Sequence, residues 1–366
     1  MKKQDSNQLN SLLVIGNGFD LQCGLRSTFS DYYNSICLDS NEFLYLLYED
    51  GRFEEMESYL KDHSGSINFW SLLFYIQYYS DKTIYKISDN KSTNWFDIEQ
   101  LIKMSFNRVF DGGESLEYFI SRAFYHLKHN SHIRSDKGYE IRKNPYMLFP
   151  FLEGKIYDNP IYYLLDELHK FENSFKDYIH NEQQKLSYKE ATSSLLNKFV
   201  DNKKENICVL NFNYTIIDNN ELIKNQINIH GNINENEIIL GIDSNEVDKE
   251  EYNCFTKTYR DLHKVKEIIE LPEEVNKIYF YGHSLATADF SYFYSLFDMY
   301  KLYDGSLMLI FLYSDYAKRD SDNEHNHNIY INRIYELINK YSKTSRGENN
   351  LLHRLLLEGR ILVKKI

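Results

Sequence analysis

The sequence contains few of the residues that force turns and no long apolar run. Its 366 residues include only 4 prolines and 15 glycines, against 32 tyrosines and 23 phenylalanines. Because glycine is scarce, each glycine cluster marks a place where the backbone needs unusual freedom. No apolar stretch approaches the roughly 20 residues that cross a bilayer, so we expect no membrane span.

Cysteine is also scarce, and basic residues are fewer than acidic ones. The 4 cysteines lie far apart with no C-x-x-C pair, so the sequence indicates neither a zinc ribbon nor a disulfide framework. The polar N-terminal segment and the short apolar run after it lack the features of a signal peptide. We therefore expect a cytoplasmic protein. With 42 basic and 54 acidic residues the net charge is −12, which disfavours a general nucleic-acid coat.

The hydrophobic pattern changes twice along the chain. A short apolar segment at 11–15 reads as a buried strand, and a helical pattern follows over 21–36. From 41 to 200 the pattern is almost wholly helical and includes a helix at 162–178. Later segments predict strands at 207–212, 227–230, 238–241, 277–282, 307–313 and 360–366, with a helix at 326–342.

This arrangement predicts an α/β fold with a Rossmann-like, mostly parallel sheet interrupted by a large helical insertion. Residues 1–40 would form the first strand and helix, 41–200 an insertion acting as a lid, and 201–366 the remainder of the sheet domain. Ligands of such sheets bind at the carboxyl ends of the strands. We therefore expect the functional residues at the predicted strand ends.

Two glycine turns follow predicted strands. The first, Gly-Asn-Gly-Phe-Asp at 16–20, would let a phosphate or ribose approach the start of a helix. The alternative is an ordinary turn, with Asp20 as an N-cap. The second, Gly-His-Ser-Leu-Ala at 282–286, approximates the G-x-S-x-G elbow, and Asp315 and later histidines follow in the order of a serine hydrolase. A plain turn capped by Ser284 is the alternative there.

Two further strand ends carry polar residues. Asn-Phe-Asn-Tyr-Thr at 211–215 offers amides and hydroxyls, and His230 is followed by a glycine. Because strand ends line the crevice of an open sheet, these side chains are candidates for one site. For His230 the alternative is a histidine satisfied by backbone hydrogen bonds.

Together these segments resemble AbiH-type abortive infection proteins of bacterial phage defence. The residues that carry the resemblance are Ile15 to Leu21, Gly24-Leu25, Trp95 to Glu99, Asn211 to Thr215, His230-Gly231, Gly241 to Asp243, Gly282 to Leu285, Asp289 and Phe293. These motifs occur in order along nearly the whole chain.

AbiH-type proteins are in turn similar to sirtuin-like NAD-consuming domains, so the resemblance implies NAD as ligand or substrate and no metal. It implies that Asn213 and His230 are catalytic. Thr215 stands where many sirtuin-like effectors have aspartate. The residues implied to contact the nucleotide are Gly16, Asn17, Gly18, Phe19, Asp20, Gly24, Asn211, Tyr214, Thr215, Gly231, Gly282, His283, Ser284 and Asp289.

The leading hypothesis is an anti-phage effector that binds a nucleotide and cleaves its glycosidic bond, with NAD as the favoured nucleotide. One alternative is a non-catalytic nucleotide or nucleic-acid sensor that uses the basic stretch 122–143. Others are a serine hydrolase acting through Ser284 and a metal-dependent nuclease built on Asp20, His230, His283 and Asp289. The resemblance also implies a phage-derived trigger or a partner defence protein, and it is compatible with a homo-oligomer.

Overall fold

The computed structural model describes residues 10–35, 160–199, 206–217, 221–235, 237–244, 250–264, 270–314, 323–345 and 350–366, with 55, 58, 59, 62, 68–71, 102 and 247. The chain divides into two compact units. The first comprises 1–27, 176–238 and 264–366, and the second 28–175 and 239–263. The Trp95 segment, the basic stretch 122–143 and most of the predicted insertion 41–200 lie outside the described residues.

The first unit is built on a six-stranded parallel sheet, which confirms the predicted fold class. Its strands are β1 (Asn10–Ile15), β2 (Asn206–Asn211), β3 (Ile223–Asn228), β4 (Lys277–Tyr281), β5 (Met308–Tyr313) and β6 (Ile361–Lys365). They lie in the order β3-β2-β1-β4-β5-β6, and every neighbouring pair is parallel. This is the Rossmann strand order, which places a topological switch point between β1 and β4.

Helices occupy most of the remaining described residues. Numbered in chain order, they are α1 (Asn17–Gln22), α2 (Phe29–Ser35), α3 (Pro160–Gln183), α4 (Leu186–Phe199), α5 (Lys257–Lys264), α6 (Phe290–Met299), α7 (Asn323–Ser345) and α8 (Leu351–Leu357). Two short 3-10 helices cover Glu250–Phe255 and Thr287–Asp289. No helix in the described ranges is both long and apolar enough to span a membrane.

Both faces of the four central strands, β2, β1, β4 and β5, are buried, as their continuous apolar sequences require. Successive side chains of β1 point to opposite faces. Leu12 and Val14 therefore join one core with residues of α6, α7 and α8, whereas Leu13 and Ile15 join another with residues of α1 and α4. The strand ends are thus fixed between two layers of helices.

Three local predictions were wrong. The helix predicted over 21–36 is broken by Gly24, which takes a φ of 81° after the end of α1. The third strand lies at Ile223–Asn228, earlier than predicted, because its first half is polar and partly exposed, and residues 229–230 form a turn. Residues 238–241 form no strand, because side chains of Glu172 and Arg260 take up the backbone groups of Leu240.

The second unit has its own aromatic packing. The ring of Phe29 stacks on Phe171 at a centroid distance of 5.8 Å and lies 5.0 Å from Phe175. Trp70 is fully buried, and its Nε1 donates a 2.8 Å hydrogen bond to the carbonyl oxygen of Leu164. These described aromatic residues therefore serve packing.

Candidate functional site

The two glycine turns meet at the switch point between β1 and β4. The Gly16 N–H donates to the carbonyl oxygen of Tyr281 at 3.2 Å, and the Gly18 N–H donates to that of Gly282 at 2.7 Å. A Cβ on Gly16 would lie only 2.7 Å from the Cα of His283. Because Gly16 has no side chain, the two loops can approach each other. The Gly18 N–H, at the start of α1, is already bonded to the Gly282 carbonyl oxygen and is not free to bind a ligand.

The other residues of the first turn have local roles. The Asn17 side chain accepts a hydrogen bond from the Ser27 hydroxyl. The Phe19 ring is fully buried, with ring centroids of Phe199 and Tyr281 within 6.4 Å and 6.3 Å. Gly24 ends α1, and no atom lies within 4 Å of a Cβ placed there. The nucleotide contacts expected of these residues stay predictions.

Asp20 is buried in a polar cluster on the α1 side of the strand ends. The N-cap of α1 is Gly16, so the N-cap alternative for Asp20 is wrong. The Tyr188 hydroxyl donates to Oδ1 of Asp20 at 2.7 Å, and Oγ1 of Thr215 lies 3.1 Å and 3.0 Å from its two oxygens. Both hydroxyls thus hold the carboxyl group in one orientation.

Burial raises the pKa of the Asp20 carboxyl group to about 7, although the hydroxyl groups of Tyr188 and Thr215 and the nearby amide of Asn213 lower it. Burial, together with the negative charge of Asp20, raises the pKa of the neighbouring Cys23 thiol to about 12. Cys23 is therefore protonated at neutral pH. Asp20 instead changes charge in the physiological range, which is typical of residues at functional sites.

The raised pKa of Asp20 predicts a pH-dependent stability. Between its ordinary pKa of 3.8 and about 7, the folded carboxyl group holds a proton that the unfolded one has lost. The free energy of unfolding therefore falls as pH rises through this window, by roughly 4 kcal/mol at about 1.4 kcal/mol per unit. Asp20→Asn should remove this fall. Urea unfolding of both proteins from pH 4.5 to 8 checks it, and parallel curves would contradict it.

The loop after β2 is held by side-chain amides. Nδ2 of Asn211 donates to the Thr215 carbonyl oxygen at 2.8 Å, and the Asn213 N–H donates to Oδ1 of Asn211 at 2.9 Å. Nδ2 of Asn228 donates to the carbonyl oxygens of Asn213 and Thr215 at 2.8 Å and 2.9 Å. The Gln183 side chain bonds both backbone groups of Ile216. The loop is thus fixed through its backbone.

The Asn213 side chain takes no part in that network. It is only 7% exposed, and its Nδ2 is buried without an acceptor in hydrogen-bonding geometry anywhere in the described ranges. The amide is nevertheless close enough to Asp20 to favour the ionised carboxylate. Leaving a buried donor unpaired costs about 1–3 kcal/mol, so such a group in a native protein requires an explanation.

A second cluster lies on the α6 side of the strand ends. Asp289 stands between two imidazoles, with Oδ1 at 3.5 Å from Nε2 of His230 and Oδ2 at 3.4 Å from Nε2 of His283. All three side chains are buried. Asp289 is also the N-cap residue of α6, where the helix dipole favours negative charge.

A backbone hydrogen bond determines the tautomer of His283. The Leu285 N–H donates to Nδ1 of His283 at 2.9 Å, so neutral His283 carries its proton on Nε2, facing Asp289. Aromatic rings enclose both histidines. The Phe212 ring packs edge-on against His230 at 5.7 Å and His283 at 4.8 Å. Carboxylate and rings together orient the His230 imidazole.

Similarity to known proteins decides the family. The family model described as Bacteriophage abortive infection AbiH matches residues 12–311 of the 366, more than half of the chain. This chain belongs to the AbiH family. The role that goes with this family is bacteriophage abortive infection. No curated protein and no solved structure matches the chain.

In the described part of this AbiH protein, six of the predicted site residues lie in two clusters. Asp20, Thr215 and Asn213 lie together, and His230, His283 and Asp289 lie together. Tyr214 is buried, and its carbonyl oxygen accepts the Ile233 N–H at 2.9 Å. Gly231 has a φ of 81° and faces the Glu237 carbonyl oxygen. Their roles toward a nucleotide, and the sirtuin-like similarity, stay predictions.

Two alternatives gain no support from the described residues. Ser284 is exposed and has no hydrogen bond to a histidine within the described ranges, and Asp315 lies outside them. The strained φ of 51° belongs to Leu285, whereas a nucleophile elbow places strain at the serine itself. No group of three or more His, Cys, Asp or Glu side chains in the described ranges is arranged to hold a metal ion.

Tyr188 and Phe212 were absent from the sequence-based site. Phe212 lay inside a recognised motif but looked like a core residue. Tyr188 lay in the predicted helical insertion, where aromatic stripes indicate packing. The one available signal was Asp20 itself, because a carboxyl group that becomes buried needs a hydrogen-bond donor such as the Tyr188 hydroxyl.

Proposed function

We propose that this AbiH-family protein acts in abortive infection by binding NAD at the strand ends of its sheet and hydrolysing the nicotinamide glycosidic bond. Loss of nicotinamide leaves positive charge on the ribose, as in other oxocarbenium-like reactions. Carboxylates and amide dipoles stabilise such a sugar, and a base must accept a proton from water or a ribose hydroxyl. Asp20, Asn213 and His230 supply these groups.

The proposal is carried by the buried amide of Asn213. Its Nδ2 has no acceptor in hydrogen-bonding geometry within the described ranges, although it lies beside a carboxyl group whose pKa is about 7. A ribose oxygen is a suitable acceptor for this donor. Because the backbone groups of Asn213 hold the loop in place, its side chain is available for a ligand.

His230 is the proposed base. Asp289 faces its Nε2 at 3.5 Å and stabilises the imidazolium that forms when His230 accepts a proton. In this reaction a water oxygen forms a bond to C1 of the ribose while the bond from C1 to the nicotinamide nitrogen breaks. The water proton passes to His230, and nicotinamide leaves as a neutral molecule.

Asn213→Ala tests the proposal. Purified protein, at rest and after addition of phage lysate, is incubated with NAD, and nicotinamide is measured by chromatography alongside phage protection in cells. The exposed Asn197→Ala on α4 is the matched control. We expect Asn213→Ala to lose at least about 100-fold in release, the order of a lost transition-state donor. Protection should be lost although the variant still folds and unfolds cooperatively, and the control should behave as wild type.

The same experiment distinguishes NAD cleavage from the hypothesis of a non-catalytic sensor. A wild-type protein that releases no nicotinamide in either state, yet loses protection on Asn213→Ala, contradicts NAD cleavage. Protection that survives both Asn213→Ala and His230→Ala contradicts a role for the strand-end site and favours a non-catalytic sensor acting elsewhere.

A further inference from the structure

Tyr188 connects helix α4 to the candidate site. The residue is buried, and its hydroxyl reaches Oδ1 of Asp20 at 2.7 Å, across 168 positions of sequence. The ring itself belongs to the core that α4 forms with the sheet. The phenol is therefore rigidly placed, and only its hydroxyl contacts the site.

Hydrogen bonds, not a cation, surround Asp20. The groups that face its carboxyl are Tyr188 from α4, Thr215 and Asn213 from the loop after β2, and Cys23 from its own helix. Within the described ranges no Lys, Arg or His forms an ion pair with Asp20. A buried carboxylate without a cation stays ionised only as far as donors stabilise its charge. The Tyr188 hydroxyl makes the shortest of these bonds.

We propose that Tyr188 is a positioning residue that keeps Asp20 ionised beside Asn213, so that this pair binds one ribose hydroxyl group. Asp20 accepts the proton of that hydroxyl, and Nδ2 of Asn213 donates to its oxygen. The inference deepens the proposed function and rests on it for the identity of the ligand. It assigns Tyr188, which contacts no ligand itself, a role in setting the pH range of binding.

The ionisation of Asp20 is measured independently of NAD. The unfolding free energies of wild type and Tyr188→Phe are determined from pH 5 to 9, each against the same protein carrying Asp20→Asn. The unfolding free energy of each protein minus that of its Asp20→Asn version should fall as pH rises. It should level off near the pKa of Asp20 in the folded protein. Losing a donor to a charged group destabilises the ionised form, so Tyr188→Phe should move the levelling point up by about one pH unit or more.

Two further variants make the measurement specific. Tyr341→Phe removes an equivalent bond, 2.7 Å from a tyrosine hydroxyl to Oδ1 of Asp298, and should leave the levelling point unchanged. Thr215→Val removes the second hydroxyl from Asp20 and should move the point in the same direction as Tyr188→Phe. It replaces Tyr188→Phe if that variant does not fold.

Binding completes the test, with ADP-ribose as the probe in titration calorimetry and nicotinamide release as the second readout. The pH of half-maximal binding and release should shift upward in Tyr188→Phe and not in Tyr341→Phe. An unmoved levelling point overturns the role of Tyr188, whatever NAD does. A moved levelling point in a protein that neither binds ADP-ribose nor releases nicotinamide at any pH overturns the proposed function and the ribose assignment, while the positioning of Asp20 stands.

Discussion

Replacing Gly282 with alanine is expected to destabilise the first unit by roughly 3–5 kcal/mol. Gly282 has a φ of 67°, which an alanine adopts only with strain. Its new Cβ would also press on the backbone nitrogen of Phe19 and lie 2.6 Å from the carbonyl carbon of Gly18. Both neighbours are backbone atoms, so no side-chain rotation relieves the clash. The first turn of α1 would have to move away from β4.

Gly359 is the matched control for this substitution. Its φ of 65° is almost the same, but no atom lies within 4 Å of an added Cβ. Gly359→Ala should therefore cost only the left-handed conformational penalty of about 1–2 kcal/mol. The difference between the two variants isolates the contact between the loops. Chemical unfolding measures both, and equal losses would show that the loops do not depend on this close approach.

The strands whose side chains are buried on both faces were predicted accurately, and so was the largely exposed β6. The apolar runs of β1, β2, β4 and β5 were located to within one residue, because a strand between two helical layers reads as continuously hydrophobic. β3 was misplaced, since its sequence, Ile-Lys-Asn-Gln-Ile-Asn, is half-exposed and polar. The run at 238–241 is equally apolar, but no strand in the described part of the chain pairs with it, and the side chains of Glu172 and Arg260 bind the backbone groups of Leu240.

The sequence allowed the candidate residues to be placed at one edge of the sheet, but it did not predict that they form two separate clusters. Parallel strands bring their carboxyl ends to one edge, so Asp20, Asn213, His230 and Asp289 could be assigned to that edge from sequence. Which of the four residues contact one another depends on side-chain direction on either side of the sheet, and sequence alone does not encode this. Tyr188 illustrates the limit, because a tyrosine in an apolar helical stripe looks like core until its hydroxyl partner is known.

Glu172→Ala is expected to destabilise the second unit by about 3–5 kcal/mol, the cost of breaking a buried ion pair. Both Glu172 oxygens bind the guanidinium of Arg260 at 2.6 Å, and Oε1 also accepts the Leu240 N–H at 2.7 Å. The alanine variant leaves a buried positive charge without its carboxylate. It also removes the acceptor of the Leu240 N–H. Leu240 directly precedes Gly241, the first residue of one of the motifs that resemble AbiH proteins.

The exposed ion pair of Asp166 and Lys170, on the same helix as Glu172, serves as the control for the effect of burial on stability. Asp166→Ala removes a 2.7 Å ion pair with Lys170 in which both side chains are more than two-fifths exposed, and it should cost less than about 1 kcal/mol. Replacing Glu172 and Arg260 together with methionine should cost less than Glu172→Ala, since no charge is then left in the interior. If the double variant instead loses as much as the sum of its single replacements, the pair contributes through independent contacts. The large loss in Glu172→Ala would then come from Leu240 and not from the orphaned charge of Arg260.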